Sequence, residues 1–319
     1  MTVPPLLLLI GRRVGAALIT LVCVSLAVFA IAQLMEGDVA EAILGQSATP
    51  EALAGLRKAM QLDQPAWARY VDWAGGVLTG DLGRSLITGL PMREMIGARL
   101  GNSLTLAGLT ALVSVPLALT LGIVAAVKRG TRFDRAISIA TIGIVSVPEF
   151  LIATLAVMLF AVTLRWLPAL SSTRDIHSGW DMVRVFALPV FSLACFVMAQ
   201  MVRMTRAAVI DALDTSYCEA ARLKGCSPAR VVLRHALPNA IGPIANAIAL
   251  SLSTLLGGVI VVEIIFNYPG VARLMVDAVA TRDLPLVQAV AIIFCTAYLI
   301  LVTTADIVAI LSNPRLRHR

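Results

Sequence analysis

The chain has 319 residues, of which 59% are hydrophobic and only 14% are charged, and its formal net charge is +7. Soluble domains are about 45–50% apolar and need a charged surface to stay dispersed, so this composition excludes a soluble globular protein and indicates a membrane protein. The excess positive charge is expected in cytoplasmic loops, where Lys and Arg collect in membrane proteins, rather than in a surface that binds nucleic acid.

Apolar stretches long enough to cross a bilayer, which takes roughly 20 helical residues, occur six times along the chain. They lack the alternation of barrel strands, and only helices or closed barrels satisfy the backbone in lipid. We therefore predict an all-α, polytopic membrane protein with about six transmembrane helices. The predicted spans are residues 14–35, 104–127, 136–164, 185–202, 240–262 and 286–310.

The distribution of cations predicts the orientation of these spans. Residues 128–135 contain four cations, residues 203–239 contain six, and three arginines lie within residues 315–319. All three clusters fall on one side of the membrane if six spans place both termini in the cytoplasm.

Residues 1–35 are interpreted as an N-terminal elbow along the interface followed by the first span. A secretory signal is the alternative, since Arg12 and Arg13 precede the span and residues 30–32 (Ala-Ile-Ala) resemble a cleavage site. The apolar run exceeds the roughly 7–15 residues of a signal sequence, which favours an uncleaved anchor.

Residues 36–103 are expected to form a small helical cap outside the membrane, too short to be an independent catalytic domain. Residues 49–51 (Thr-Pro-Glu) indicate a helix start, because they supply an N-cap, a proline at N1 and an acid in the first turn. An amphipathic helix is predicted over residues 65–78, with three aromatic residues on or near one face (Trp67, Tyr70, Trp73). The glycines that follow predict turns (Gly80, Gly83, Gly89).

The predicted cytoplasmic segment, residues 203–239, lies within a five-helix core formed by residues 104–319. Its residues 217–224 are predicted to form a short helix that ends with Gly225 in the left-handed C′ position. A second helix then begins at Ser227-Pro228, and Pro238 is expected to interrupt it before the fifth span.

Small side chains on the first of these helices, Ala220 and Ala221, would let the backbone of another protein approach closely. Glu219, Arg222 and Lys224 are available for polar contacts around them. An ordinary re-entry loop with a basic face is the simpler interpretation of these residues alone.

Residues 219–221 (Glu-Ala-Ala), followed by Gly225 and by Leu237-Pro238, resemble the EAA motif of ABC importer permeases. Residues 234–237 (Arg-His-Ala-Leu) are similar to the version in the dipeptide/oligopeptide/nickel branch. The resemblance to the first of that branch's two permease subunits covers nearly the whole chain and includes residues 49–53, 62–65, 80–85, Glu263, 266–267, 269–270, 282–283, Pro285, Asp306 and 314–315. The chain departs from the family at residues 36–39 (Glu-Gly-Asp-Val), where Pro-Gly-Asp-Pro is common, and at Glu149, where a small or neutral polar residue is more usual.

This resemblance implies a multi-pass permease subunit in the bacterial inner membrane, which forms half of a pore for di- or oligopeptides and works by alternating access. Its partners would be a second, homologous permease, two ATPases that use ATP and Mg, an external binding protein and membrane lipid. This chain would itself need no cofactor or metal. Nickel chelates, haem or sugars are alternative solutes within the branch.

In the family, the helix that carries the motif docks into a groove on an ATPase. The resemblance therefore assigns ATPase coupling to Glu219, Ala220, Ala221 and Gly225, in a segment that also includes Arg222, Leu237 and Pro238. The matching external residues are expected to face the binding protein (Asp81, Arg84, Glu263, Arg282, Asp283), although capping of a helix end is an alternative role for Glu263.

The residues themselves agree with a chain that is not an enzyme. The sequence contains no GxxxxGK[ST] phosphate loop and no HExxH pair, and its Cys and His residues lack the spacing of a metal site. A secondary transporter or channel is the alternative function, but it predicts inverted repeats and midplane ion sites, which the sequence does not show convincingly.

Two acidic residues, Glu149 and Asp306, fall within predicted spans, where an ionisable group is costly and suggests a function. In a continuous helix Glu149 would lie about 20 Å beyond residue 136, and Pro148 should kink that helix. We predict that Glu149 lines the pore and affects cationic or amine-bearing solutes. A protonated side chain, or one paired with a neighbouring subunit, is the alternative. For Asp306 we predict an anchoring or interhelical role.

Overall fold

The computed structural model describes residues 5–34, 49–59, 64–172 and 176–312. Over these ranges the chain consists of α-helices joined by turns, with one isolated bridge between Arg84 and Pro91, which confirms the all-α prediction. In chain order the α-helices are α1 (Pro5–Leu34), α2 (Pro50–Ala59), α3 (Ala66–Thr79), α4 (Met92–Val127), α5 (Arg132–Val145), α6 (Glu149–Ala156), α7 (Gly179–Leu213), α8 (Ser216–Leu223), α9 (Pro228–Arg230), α10 (Leu237–Ile265), α11 (Val271–Ala280) and α12 (Leu284–Ser312). Two π-helical stretches follow α6 and α9 directly (Val157–Thr163 and Val231–Ala236).

The number of membrane-spanning helices agrees with the prediction. Within the described residues, five continuous helical stretches are long and apolar enough to cross a membrane, and a sixth span results if the bent pair Arg132–Val145 and Glu149–Thr163 counts as one. The five are Leu9–Ile31, Met92–Val127, Gly179–Leu213, Pro228–Ile265 and Leu284–Val308. The family departure at residues 36–39 and the matching residues 314–315 lie outside the described part of the chain.

Several helices extend beyond the predicted spans. The described residues of the predicted elbow continue into the first span as one helix, α1, that begins at Pro5. Helix α4 begins at Met92, inside the predicted external cap, and α7 contains Pro189 yet runs for 35 residues. Apolar composition marks the part of a helix that can lie in lipid, whereas the helix itself continues wherever its backbone stays hydrogen-bonded.

The third predicted span is broken rather than kinked. Helices α5 and α6 are bent by 100° at residues 146–148, and Pro148 is the N-cap of α6. Proline disfavours a helical conformation in the residue before it and cannot donate a backbone hydrogen bond, so the helix ends and restarts here. The prediction that Glu149 lies about 20 Å beyond residue 136 along one continuous helix is therefore wrong.

The predicted interruption at Pro238 is also wrong. Helix continues from Pro228 to Ile265 through the π-helical stretch Val231–Ala236. Here the Leu237 N–H donates to the Val232 carbonyl five residues earlier. The wider turn directly before Pro238 accommodates a residue that has no N–H to donate.

The chain divides into two compact units. The larger contains residues 104–268 together with residues 5–17 of α1 and residues 298–312 of α12. Within this unit, α10 packs along α7, and α5 and α6 also pack against α7. Helices α4 and α7 approach closely at Gly122 of α4, where a Cβ would lie 2.8 Å from Thr205 Cβ and 3.0 Å from the Val202 carbonyl oxygen. Small residues allow this approach between membrane helices.

The second unit contains residues 18–103 and 269–297. Its core is formed by apolar side chains of α4, α11 and α12 (Met92, Ile96, Val271, Leu274, Ala278, Leu286, Ala289, Val290). Phe29 of α1 contacts Tyr70 and Trp73 of α3, with ring centroids 5.4 and 6.2 Å away. Trp67, which was predicted on or near the same face, is 72% exposed.

Candidate functional site

The short helix α8 carries the residues predicted to couple to an ATPase. It spans Ser216–Leu223, as predicted within one residue, with Glu219 in its first turn and Arg222 in its last. These charges suit the helix dipole at each end. Gly225 adopts a left-handed conformation with φ 79°.

The turn after α8 has the hydrogen bonds of a Schellman motif. Gly225 N–H donates to the Arg222 carbonyl at 2.9 Å, and Cys226 N–H donates to the Ala221 carbonyl at 3.1 Å. Because only glycine enters the left-handed region without steric strain, Gly225 sets the direction in which the chain leaves α8. The predicted left-handed C′ position of Gly225 is confirmed.

One face of α8 packs inside the chain. Cys218 is fully buried and Ala221 is 6% exposed. Both belong to a cluster that joins the ends of α4 and α7 to α8, the π-helical stretch and α10, which we call the junction core (Ala126, Val209, Ala212, Leu213, Cys218, Ala221, Val231, Val232, Ala236, Ala240). Ala221 was predicted to seat another protein's backbone, and this is corrected, because its small side chain instead allows α8 to pack on its own chain. Leu237 also packs against the junction core.

The opposite face of α8 is exposed and partly apolar. Tyr217 and Leu223 are 40% and 83% exposed, and Ala220 between them is exposed as well. Charged side chains around these residues are exposed too (Glu219, Arg222, Lys224), as is Pro238. Sequence reasoning missed Tyr217 and Leu223. Helical spacing could have found them, because burial of residues 218 and 221 turns 217, 220 and 223 outward.

Two ion pairs connect the beginning of α5 to the region where α7 ends. One starts from the first turn of α5 and the other from the turn that precedes this helix. Arg206 donates two hydrogen bonds to the Asp134 carboxylate, at 2.6 and 2.8 Å, and Gly130 N–H donates to the same carboxylate at 2.9 Å. Arg129 pairs with Asp214 at 2.8 Å. Sequence reasoning missed both pairs, because the partners are more than 70 residues apart and each residue alone looks like an ordinary loop charge.

Glu149 is the first residue of α6, directly after the break. Its half-buried side chain lies against α10 at Gly258, where a Cβ would come within 2.7 Å of Glu149 Oε2. The absence of a side chain on Gly258 therefore creates the space that the carboxylate occupies.

The interhelical role predicted for Asp306 is confirmed. Its carboxylate pairs with Arg13 of α1 at 3.1 Å, and this contact joins the first and last helices of the chain. The arginines of the C-terminal cluster, residues 315–319, lie outside the described residues.

The residues predicted to face the binding protein fall into two groups. Asp81, Arg84 and Arg282 are exposed. Glu263 and Asp283 are 0% and 2% exposed, so a direct contact of these two side chains with another protein is corrected to a role inside the chain.

Asp283 holds a loop of the second unit in place. Its carboxylate accepts hydrogen bonds from the Ser85 hydroxyl and, at 3.2 Å, from the Leu86 N–H. Asp283 follows Arg282, which has a left-handed backbone with φ 59°. The bonds from Asp283 therefore hold the loop carrying Arg84 against the turn carrying Arg282. Within the loop, the exposed Arg84 donates to the Gly89 carbonyl at 3.1 Å.

Glu263 lies at the buried end of α10 beside Tyr268, whose ring packs edge-on against Phe186 at 5.6 Å. Burial, and next the charge of Glu263, raise the pKa of the Tyr268 hydroxyl above its ordinary range. Across the described ranges, no group of three His, Cys, Asp or Glu side chains is placed to hold a metal ion.

Comparison with known proteins places these features in a family. Residues 118–318 match the family described as binding-protein-dependent transport system inner membrane component, and residues 6–91 match the family of the N-terminal region of such components. The matched region includes α8, the junction core and Glu149.

Similar proteins match over almost their whole length. A probable peptide ABC transporter permease protein of Sinorhizobium fredii is 33% identical, over 96% of this chain and 98% of that protein. The di/tripeptide transport system permease protein DppB of Pseudomonas aeruginosa is 33% identical, over 97% and 98%. The glutathione transport system permease protein GsiC of Escherichia coli is 35% identical, over 97% and 98%.

The family match, the full-length relatives and the apolar helices together define a bacterial, multi-pass inner membrane protein. The chain belongs to the family of inner membrane components of binding-protein-dependent transport systems.

Proposed function

We propose that this chain is one of two permease subunits of an ATP-driven importer of peptides. The observation that carries the proposal is the two-faced helix α8. Its buried face locks it to the ends of α4, α7 and α10, while its exposed face offers Tyr217, Ala220 and Leu223 to a partner. An exposed apolar strip bordered by charges is typical of a protein-binding surface.

The partner of this strip is an ATPase. The chain itself has no nucleotide-binding loop, so the energy for uptake comes from another subunit. When the ATPases close on ATP, α8 is displaced together with the junction core, and the ends of three long helices move with it. This displacement opens the pore outward to receive the solute, and hydrolysis resets it, which is alternating access.

Peptides are the proposed solutes because relatives across the full length are named for peptide, di/tripeptide and glutathione transport. These names share solutes that contain peptide bonds. We further propose that a binding protein docks at the surface carrying Asp81, Arg84 and Arg282. The buried Asp283 ties the segment after Arg84 to the turn at Arg282. A second, homologous permease completes the pore.

Replacing Leu223 with Asp tests the docking of α8. A carboxylate at the centre of an apolar contact is desolvated without a partner, so the variant should lose most of the ATPase subunits that co-purify with the complex and most ATP-dependent peptide uptake. The matched control is Leu78→Asp on α3, because Leu78 is 88% exposed and Leu223 83%. The control should assemble and transport normally.

Equal amounts of co-purified ATPase in the Leu223→Asp and wild-type complexes would refute docking at α8. Uptake that continues without any ATPase would point instead to a secondary transporter.

A further inference from the structure

We propose that the Asp134–Arg206 pair is a positioning contact that transmits movement of the junction core to helix α5 and the break at Pro148. This inference rests on the proposed function, since it concerns how a displacement of α8 reaches the membrane helices. It assigns a transport role to two residues far from the EAA-type sequence.

The geometry of the pair suits the transmission of force. Arg206 Nε and one terminal nitrogen each donate to a different carboxylate oxygen of Asp134, at 2.6 and 2.8 Å. Such a two-pronged arrangement fixes orientation as well as distance. The Asp134 side chain is only 5% exposed, so water competes little for these hydrogen bonds.

Each partner is firmly attached to its own element. Asp134 lies in the first turn of α5, and its carboxylate accepts a hydrogen bond from the Gly130 N–H. Its own N–H donates to the side chain of Thr131, the N-cap of α5. Arg206 lies on α7 next to Thr205, which packs against Gly122 of α4. One turn later on α7 is Val209, which is fully buried in the junction core. The pair therefore joins the start of α5 directly to the block that contains α8.

The other end of α5 borders an open apolar groove. This groove of about 650 Å³ lies between α5, α6 and α7 and is lined by Ala140, Gly143 and Ile144 of α5 and by Phe191 and Cys195 of α7. Helix α5 ends at the break, beyond which Glu149 lies against Gly258 of α10. A displacement applied at Asp134 can thus tilt α5 and shift the contact between Glu149 and Gly258.

The Arg129–Asp214 pair provides a matched control. It connects the same two regions of the chain at 2.8 Å, but its side chains are 58% and 59% exposed. Exposed ion pairs contribute little because water and salt screen them. The Asp134–Arg206 pair, whose side chains are 5% and 28% exposed, is expected to carry the coupling, and the Arg129–Asp214 pair is not.

The test measures the movement of α5 in the complete reconstituted transporter. Spin labels at Ile139→Cys on α5 and Leu250→Cys on α10, in a background without the five native cysteines, report their distance in the nucleotide-free state and in the ATP-trapped state. In the wild type this distance should change with nucleotide. In Asp134→Asn the change should shrink by about half or more, while ATP hydrolysis persists. Asp214→Asn should behave like the wild type.

Reversal of the pair, Asp134→Arg with Arg206→Asp, addresses the possibility that a single substitution prevents folding. Recovery of the distance change in the reversed pair supports the proposal. Retention of the full change in Asp134→Asn overturns it and leaves the proposed function intact. Failure of the reversed pair to assemble assigns these residues a purely structural role and also overturns it. Absence of any nucleotide-dependent change in the wild type would contradict the proposed function itself.

Discussion

Glu149 is an acidic side chain in an unusual position within the fold. A carboxylate is costly within a membrane span, yet here the chain breaks directly before it and leaves a glycine opposite it. The N-terminal dipole of α6 offsets part of that cost. By contrast, the other acidic residue predicted within a span, Asp306, is paired with Arg13. We infer that Glu149 is arranged to meet a positive charge that arrives with the solute.

Replacing Glu149 with Gln tests this inference, because it keeps the shape and removes the charge. With an unchanged binding protein, uptake of a peptide with a free amino terminus should fall about tenfold, since a charge contact in a poorly solvated site is worth about 1.4 kcal/mol or more. Uptake of the N-acetylated peptide should stay within about twofold. Parallel uptake assays in proteoliposomes measure both. Asp306→Asn is the control and should leave the preference unaltered. Equal losses for both peptides would show that Glu149 supports the fold and does not select charge.

Two prolines, Pro148 and Pro238, have different effects on the helices around them. Both Pro148 and Pro238 remove a backbone hydrogen bond, and sequence alone predicted a kink at the first and an interruption at the second. In the structure the helix ends before Pro148 and a new one begins after it, whereas the helix that contains Pro238 is continuous. The difference lies in the surroundings. The turns before Pro238 carry Val231, Val232 and Ala236 in the junction core, so packing holds the helix together while a π-helical turn absorbs the missing donor.

The predictable parts of the candidate site are those set by local geometry. Gly225 was predicted in a left-handed C′ position because a helix that ends in glycine has few alternatives, and Ser227-Pro228 begins the next helix as expected. Contacts that join distant segments, such as Arg206 with Asp134 or Ser85 with Asp283, were not predicted. A single sequence records the charges but not the tertiary packing that brings them together.

Helix packing at Gly122 leads to a prediction about stability. A methyl group there would overlap Thr205 and the Val202 carbonyl, so Gly122→Ala must push α4 away from α7. Overpacking of this kind costs about 1–3 kcal/mol. The midpoint of unfolding in a denaturing detergent, followed by tryptophan fluorescence, should fall accordingly. Gly108→Ala on the same helix is the control, because a Cβ at Gly108 meets no atom within 4 Å. Equal midpoints for the two variants would show that α4 and α7 are not in close contact at Gly122.

The bent pair α5–α6 determines the membrane topology of the chain. If the pair crosses the membrane, six spans place both termini on one side, as the cation distribution predicts. If the pair turns back, five spans place the termini on opposite sides. The Arg206 contact at the start of α5 lies beside the junction core, so α5 begins on the side where α8 is found. In that core, Ala126 near the end of α4 packs with Leu213 at the end of α7. If α4 and α7 both cross the membrane, these ends lie on one side only when the pair α5–α6 crosses as well, so we expect six spans. The side on which the chain emerges after Thr163 tests this expectation.

Labelling from one side of the membrane distinguishes these topologies. In a chain without native cysteines, Arg132→Cys marks the start of α5 and Leu170→Cys marks the segment after the π-helical stretch; both positions are exposed. We expect an impermeant maleimide to label Leu170→Cys in intact spheroplasts and Arg132→Cys only after permeabilisation. Six spans require opposite sides for the two positions, because a helix pair that crosses the bilayer separates its ends. Thr281→Cys, before α12, should label like Leu170→Cys. If Arg132→Cys and Leu170→Cys react from the same side, the pair is re-entrant, and the termini lie on opposite sides of the membrane.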